Sequence, residues 1–153
     1  MKITLAMVLS LDGKSTKGDG SPNLWASVED QGFFHALKNK IGVIIVGRKT
    51  YEAALRQAQG KLDDGIRRIV MSRSTGFTLP TDINEALLVG GSELNAEFFK
   101  RKLINEIYLT LEPKIFGEGL PLAKGLPFEV ELELLNMKQL NPQGTLLLHY
   151  RVK

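Results

Sequence analysis

Residues Ile41 to Val46 form an almost unbroken run of β-branched and apolar side chains, and Gly47, Arg48, Lys49 and Thr50 follow without a spacer. A run with no polar alternation fits a strand covered on both faces, the situation of a parallel sheet flanked by helices. Such sheets gather ligands at the carboxyl ends of their strands. Here two cations and a hydroxyl stand at that end, which points to an anionic ligand.

The rest of the chain continues the alternation. Ile3 to Leu9 predicts a first strand, followed by a Gly-, Ser-, Lys- and Asp-rich loop through Ser21. Ser27 and Asp30 have the spacing of a capping box, so a helix is expected to begin at Ser27 with Phe33, Phe34 and Leu37 turned inward. Thr50 to Ala58 reads as a second helix, and Ile69 to Met71 and Ala86 to Val89 as short strands. "GGSELNAEFFKRKL" then opens a helix whose inner side carries Leu94, Phe98 and Leu103. Glu106 to Leu111 is a further strand. Pro113 to Pro127 holds too many breakers for regular structure, and Glu129–Leu140 and Thr145–Val152, joined by "NPQG", read as an antiparallel hairpin. The expected fold is α/β: a mostly parallel central sheet, helices on both faces and a C-terminal antiparallel hairpin, in one domain spanning residues 1–153.

Several classes are disfavoured. No apolar run approaches bilayer length, and "MKITLAMVLSLDGK" alternates like a strand and lacks a cleavage site. The chain has no cysteine, which removes disulfides and thiolate chemistry and fits a reducing cytoplasm, the expected location. A net charge of +3 is small, and the densest basic run, Phe98 to Lys102, fits the solvated side of a helix. Neither nucleic acid nor membrane is an expected partner. His35 and His149 lie in different halves without carboxylate clusters, so no metal is expected. Gly42 and Gly47 imitate P-loop spacing, but Val43 to Val46 between them build a strand, and "GGSELN" lacks the third glycine of a Rossmann fingerprint.

Two strand–helix junctions remain. Gly47, Arg48, Lys49 and Thr50 combine close backbone approach with phosphate-binding charge, and Gly90 and Gly91 bare main-chain amides at a helix start. A glycine pair also serves simply to turn a chain. Together, however, two anion sites on successive turns suit a dinucleotide.

These residues resemble a known family. "VGRKTYEAA", "RIVMSRS", "LLVGGSELNAEFF" and "EIYLTLEPKIFGEG" are similar, in order and spacing, to segments of dihydrofolate reductases. "LSLDGKST" and "WASVEDQGFF" are closer to the reductase domain of riboflavin-pathway pyrimidine deaminase/reductases. The chain is thus identified as a standalone member of the dihydrofolate reductase-like superfamily, which implies a three-layer fold and an NADPH-dependent reductase of a pteridine or a ribosylaminopyrimidine. A homodimer is a further implication, and a nucleotide-binding module without catalysis is the alternative.

By position, the resemblance assigns Gly47, Arg48, Lys49 and Thr50 to the adenine-side phosphates of NADPH, with Arg48, and Lys49 or Arg73, on the 2′-phosphate. Ser72 would approach the adenosine ribose, and Gly90, Gly91, Ser92 and Glu93 would offer amides to the diphosphate. Val8 and Ser15 would meet the nicotinamide carboxamide through their main chains, beside a loop shaped by Asp12 and Gly13. The proton donor would be Asp30, with Glu29 the competing residue, and Thr110 would support it. Trp25 would border the substrate pocket or act as a packing staple. Asp30 also has an ordinary reading, as the residue that completes the Ser27 cap.

Overall fold

Strand β1 (Lys2–Ser10) is apolar on both faces and lies inside the sheet, not at its edge. Ile3, Leu5 and Met7 pack toward one helical layer, and Ala6 and Val8 face the other. The computed structural model describes residues 1–17 and 25–153, so the distal part of the loop expected through Ser21 lies outside the described residues. Along the chain follow α1 (Val28–Ile41), β2 (Val43–Gly47), α2 (Arg48–Gln57), β3 (Arg67–Met71), a 3-10 turn at Arg73–Thr75 and β4 (Glu85–Leu88). Then come α3 (Ser92–Lys100), β5 (Glu106–Glu112), β6 (Leu132–Gln139) and β7 (Leu146–Val152).

The strands form one sheet in the order β3-β2-β4-β1-β5-β7-β6. The pairs from β3 through β5 are parallel, whereas β7 and β6 are antiparallel. Helix α3 covers one face, burying Phe98 and Phe99 among Ile3, Leu5, Ile45 and Ile107. Helix α1 covers the other through Phe34, Leu37 and Ile41, packed on Ala6, Ile44 and Leu87. This three-layer arrangement is the one read from the alternation of strands and helices.

Boundaries differ where backbone chemistry outweighs apolar pattern. Ile41 closes α1 instead of opening β2, because Gly42 takes a left-handed φ of 75° and sends its N–H to Lys38 O at 2.9 Å. Helix α2 begins at Arg48, ahead of the expected Thr50. Gly47, extended at φ −71° and ψ 148°, is at once the last residue of β2 and the cap of α2. Strand β6 starts at Leu132 and is exposed along its whole length, with an irregularity between Leu134 and Asn136 of the kind that protects sheet edges.

The α3 layer carries much of the core. Phe98 is fully buried and its ring lies 5.0 Å from that of Phe77, over which the Arg101 guanidinium stacks at 4.0 Å. Lys100, Arg101 and Lys102 stay on the solvent side, as the sequence implied. Near the other end of the sheet, the buried Lys38 ammonium binds Asp64 at 2.9 Å, and Arg68 grips the same carboxylate at 2.7 Å. Phe98→Ala should lower unfolding free energy by about 3–5 kcal/mol in urea titrations. A loss below about 1 kcal/mol would show that α3 does not anchor this face.

Candidate active site

Strands β2 and β4 are neighbours, so their carboxyl ends bring the two glycine-bearing turns together. The Gly47 N–H donates to Gly90 O at 2.8 Å, stitching one turn to the other. A Cβ on Gly91 would lie 3.0 Å from Thr50 Oγ1, tighter than ordinary contact, and one on Gly47 would meet Gly91 N at 3.4 Å. Gly90 has φ of 95°, which favours glycine, and the Gly90–Gly91 peptide is cis. Neither α2 nor α3 receives a side-chain cap at its first turn. Two helix N-termini with uncapped amides therefore flank one glycine-lined cradle.

The charged residues assigned to this region separate into two groups. Arg48 and Lys49 are exposed at the mouth of the cradle, Arg48 with only a loose 3.9 Å approach to Glu52 one turn on. Arg73 is instead paired with Glu93 at 2.8 Å, so their charges offset one another. Ser72 caps the 3-10 turn, its hydroxyl accepting from Thr75 N at 3.3 Å. The Ser92 hydroxyl donates to Pro121 O at 2.6 Å, tying α3 to the irregular segment after β5.

The first loop is fastened to that same segment. Asp12 accepts from the Ser10 hydroxyl and from the amides of Phe116 and Gly117, and these donors, Ser10 foremost, hold its carboxyl at about 2. Gly13 turns the loop at φ 79°. Ser15 commits both its N–H and its hydroxyl to Leu120 O, at 2.7 and 3.1 Å. These residues shape the loop chiefly by holding it to the protein.

A cavity of about 240 Å³ opens between β1, β5 and α1, with Asp30, Thr110, Val8, Phe34 and Tyr108 in its wall. Val8 sits opposite Thr110 in the β1–β5 register. Asp30 is 7% exposed. Burial raises its carboxyl above the usual range; the nearby Thr110 hydroxyl works the other way, and the Glu112 charge adds to the rise. Met7 and Val89 also line the cavity, and a Cβ on Gly90 would lie 3.5 Å from Met7 Sδ. Cavity and cradle are therefore adjacent.

Glu29 and Trp25 fall elsewhere. Glu29 is exposed and faces a second cleft, where Asn141 Nδ2 donates to it at 3.3 Å. Trp25 lines that second cleft too, and packs edge-on against Phe116 at 4.8 Å. The capping box forms only in half: Ser27 Oγ accepts from Asp30 N at 3.2 Å, but the Ser27 N–H donates to Glu112 Oε1 at 2.9 Å. Glu112 thus fills the place that the spacing gave to Asp30, and the Asp30 carboxyl turns to Thr110. No local pattern announces Glu112, since its partners are Ser27, the cap of α1, and Thr145, just before β7.

Parallel strands, crossover helices and a C-terminal antiparallel pair define a dihydrofolate reductase-like fold, and the cavity lies at the carboxyl ends of its strands. The chain belongs to the RibD C-terminal domain family, whose model matches residues 1–86 and 78–146. It is 26% identical over 170 residues to the uncharacterized protein YwjB of Bacillus subtilis, with 97% of each chain covered. Among solved structures, a diaminohydroxyphosphoribosylaminopyrimidine deaminase/5-amino-6-(5-phosphoribosylamino)uracil reductase from Thermotoga maritima superposes with a TM-score of 0.71 at 18% identity, covering 99% of this chain and 56% of that one. Dihydrofolate reductase from Enterococcus faecalis, complexed with NADP(H) and RAB-propyl, superposes at 0.69 and 16% identity, covering 99% and 96%. These structural likenesses describe the fold.

The raised Asp30 carboxyl has a consequence for stability. A buried acid that resists ionisation makes the fold lose stability as pH climbs from the unfolded-state carboxyl range to its own elevated one, with no further loss above. Asp30→Asn should therefore be more stable than the parent at neutral pH, and the gain should vanish in acid. Chemical unfolding at both pH values measures this; a uniform loss of about 1 kcal/mol would mean that Asp30 serves as a cap.

Proposed function

We propose that the protein is an NADPH-dependent reductase that transfers a hydride to a pteridine or a ribosylaminopyrimidine ring. The observation that carries this reading is the adjacency of the cavity walled by the buried Asp30 carboxyl to the paired glycine turns, through Met7 and Gly90. The cradle fits a dinucleotide diphosphate: Gly91 leaves room that a Cβ would fill against Thr50, and uncapped amides of α2 and α3 suit phosphate oxygens. Arg48 and Lys49 would hold the 2′-phosphate, which favours NADPH over NADH. When bound, the reduced nicotinamide supplies the hydride.

The chain's own residues supply the rest. Val8 and Ala6 present an apolar wall to the substrate, limiting water around the reacting atoms. Asp30, whose carboxyl burial shifts toward the protonated form, gives the proton that accompanies the hydride, so that a C=N or C=O bond becomes saturated and the carboxylate is left behind. Thr110 then stabilises that carboxylate by hydrogen bonding. Phe33, Phe34 and Tyr108 provide flat surfaces for a planar ring, and Gln31 offers amide groups to its edge. Neither lysine nor arginine occurs among the described residues lining the cavity, which suits an uncharged heterocycle at this wall.

Purified protein mixed with NADPH and either a dihydropteridine or a ribosylaminopyrimidine should show enzyme-dependent coenzyme oxidation. Absence of oxidation with both substrate classes would overturn the reading. Asp30→Asn should cut turnover by about 10²-fold or more while leaving NADPH affinity nearly unchanged. Arg48→Ala should weaken NADPH binding far more than NADH binding in parallel fluorescence titrations; equal losses would remove Arg48 from the 2′-phosphate.

A further inference from the structure

Glu112 ends β5 with a carboxyl group that is 2% exposed and receives hydrogen bonds from two uncharged donors. Ser27 N–H reaches Oε1 at 2.9 Å, and the Thr145 hydroxyl reaches Oε2 at 2.7 Å. The one cation among the described residues lining the same cleft, Lys114, instead directs its ammonium to the Trp25 carbonyl at 3.2 Å. Burying a carboxylate without a cation against it is costly, so a chain that keeps one gains something other than stability.

Its surroundings form a continuous strut. Thr145 Oγ1 accepts from Asn141 Nδ2 at 2.8 Å, which leaves the hydroxyl proton for Glu112. Thr145 N donates to Asn141 Oδ1 at 3.0 Å, and Asn141 reaches on to Glu29. The strut therefore links the hairpin turn before β7, the end of β5 and the first turn of α1. Along β5, residues at intervals of two share a face, so Glu112 and Thr110 both lie beneath that turn. Ser27 completes the connection, held by Glu112 through its N–H and capping Asp30 N through its hydroxyl.

We propose that Glu112 is a positioning residue for Asp30: it anchors the N-terminus of α1 so that the Asp30 carboxyl meets Thr110, and it holds a second negative charge beside the proton donor. The catalytic meaning of this role rests on the reductase reading; the structural coupling does not. The titratable groups around Asp30 are Tyr108 and Glu112 on β5, Glu29 and His35 on α1 and Lys114 beyond β5. Facing positions on β1, Ala6 and Val8, and Thr145 just before β7 carry no charge. Of these groups, Glu112 is the one whose charge acts on Asp30, adding to the larger effect of burial.

The test is a carboxyl-carbon NMR titration of the ligand-free protein. In Glu112→Gln the Asp30 midpoint should move to lower pH, and in Glu112→Asp, which keeps the charge, it should stay near the parent. An unmoved midpoint in folded Glu112→Gln would overturn the proposal, as would a midpoint in Glu112→Asp that moves as far as in Glu112→Gln. If turnover is found, Glu112→Gln should also shift the alkaline fall in kcat to lower pH, because the protonated acid is then lost sooner, with KM for NADPH unaltered. A coupled titration without turnover would sink the reductase reading alone, and turnover without coupling would sink this proposal alone.

Discussion

The arrangement of the site depends on one backbone contact, the hydrogen bond from Gly47 N to Gly90 O. It joins the carboxyl ends of two adjacent parallel strands at the points where each gives way to a helix. Because no side chain intervenes at Gly47, Gly90 or Gly91, α2 and α3 start side by side with bare amides. A side chain at Gly91 would press on the Thr50 hydroxyl. The sheet order makes this contact available, and the glycines let it close.

The second organising element is a pair of acids under the first turn of α1. Asp30 and Glu112 are both buried, yet their partners differ. Glu112 accepts a main-chain amide and a threonine hydroxyl that is itself held by Asn141, whereas Asp30 meets Thr110 in an apolar wall. One carboxylate is thereby fixed in a polar network and the other resists ionisation. Burial raises the Asp30 carboxyl, while Glu112 anchors the turn that carries it.

Much of this was legible in the sequence, for identifiable reasons. The unbroken Val43–Val46 run identified a doubly covered strand, and Gly47, Gly90 and Gly91 marked the junctions because glycine at a strand end carries a local backbone meaning. Asp30 and Thr110 emerged through family resemblance, and the structure brings both into one cavity wall. What escaped was non-local. Nothing near Glu112 signals that its carboxyl displaces Asp30 from the capping box, since its donors come from distant segments. The Arg73–Glu93 pair is likewise a tertiary contact between the 3-10 turn and α3. Trp25 and Glu29 precede or open α1 beside Asp30, but the helix turns them toward a different cleft.

Calorimetric titration of the folded protein with NADPH tests the central claim most directly. Saturable binding at one site per chain, markedly tighter than for NADH, is the predicted result. Heat no greater than dilution, from material that unfolds cooperatively, would contradict a dinucleotide at the paired glycine turns.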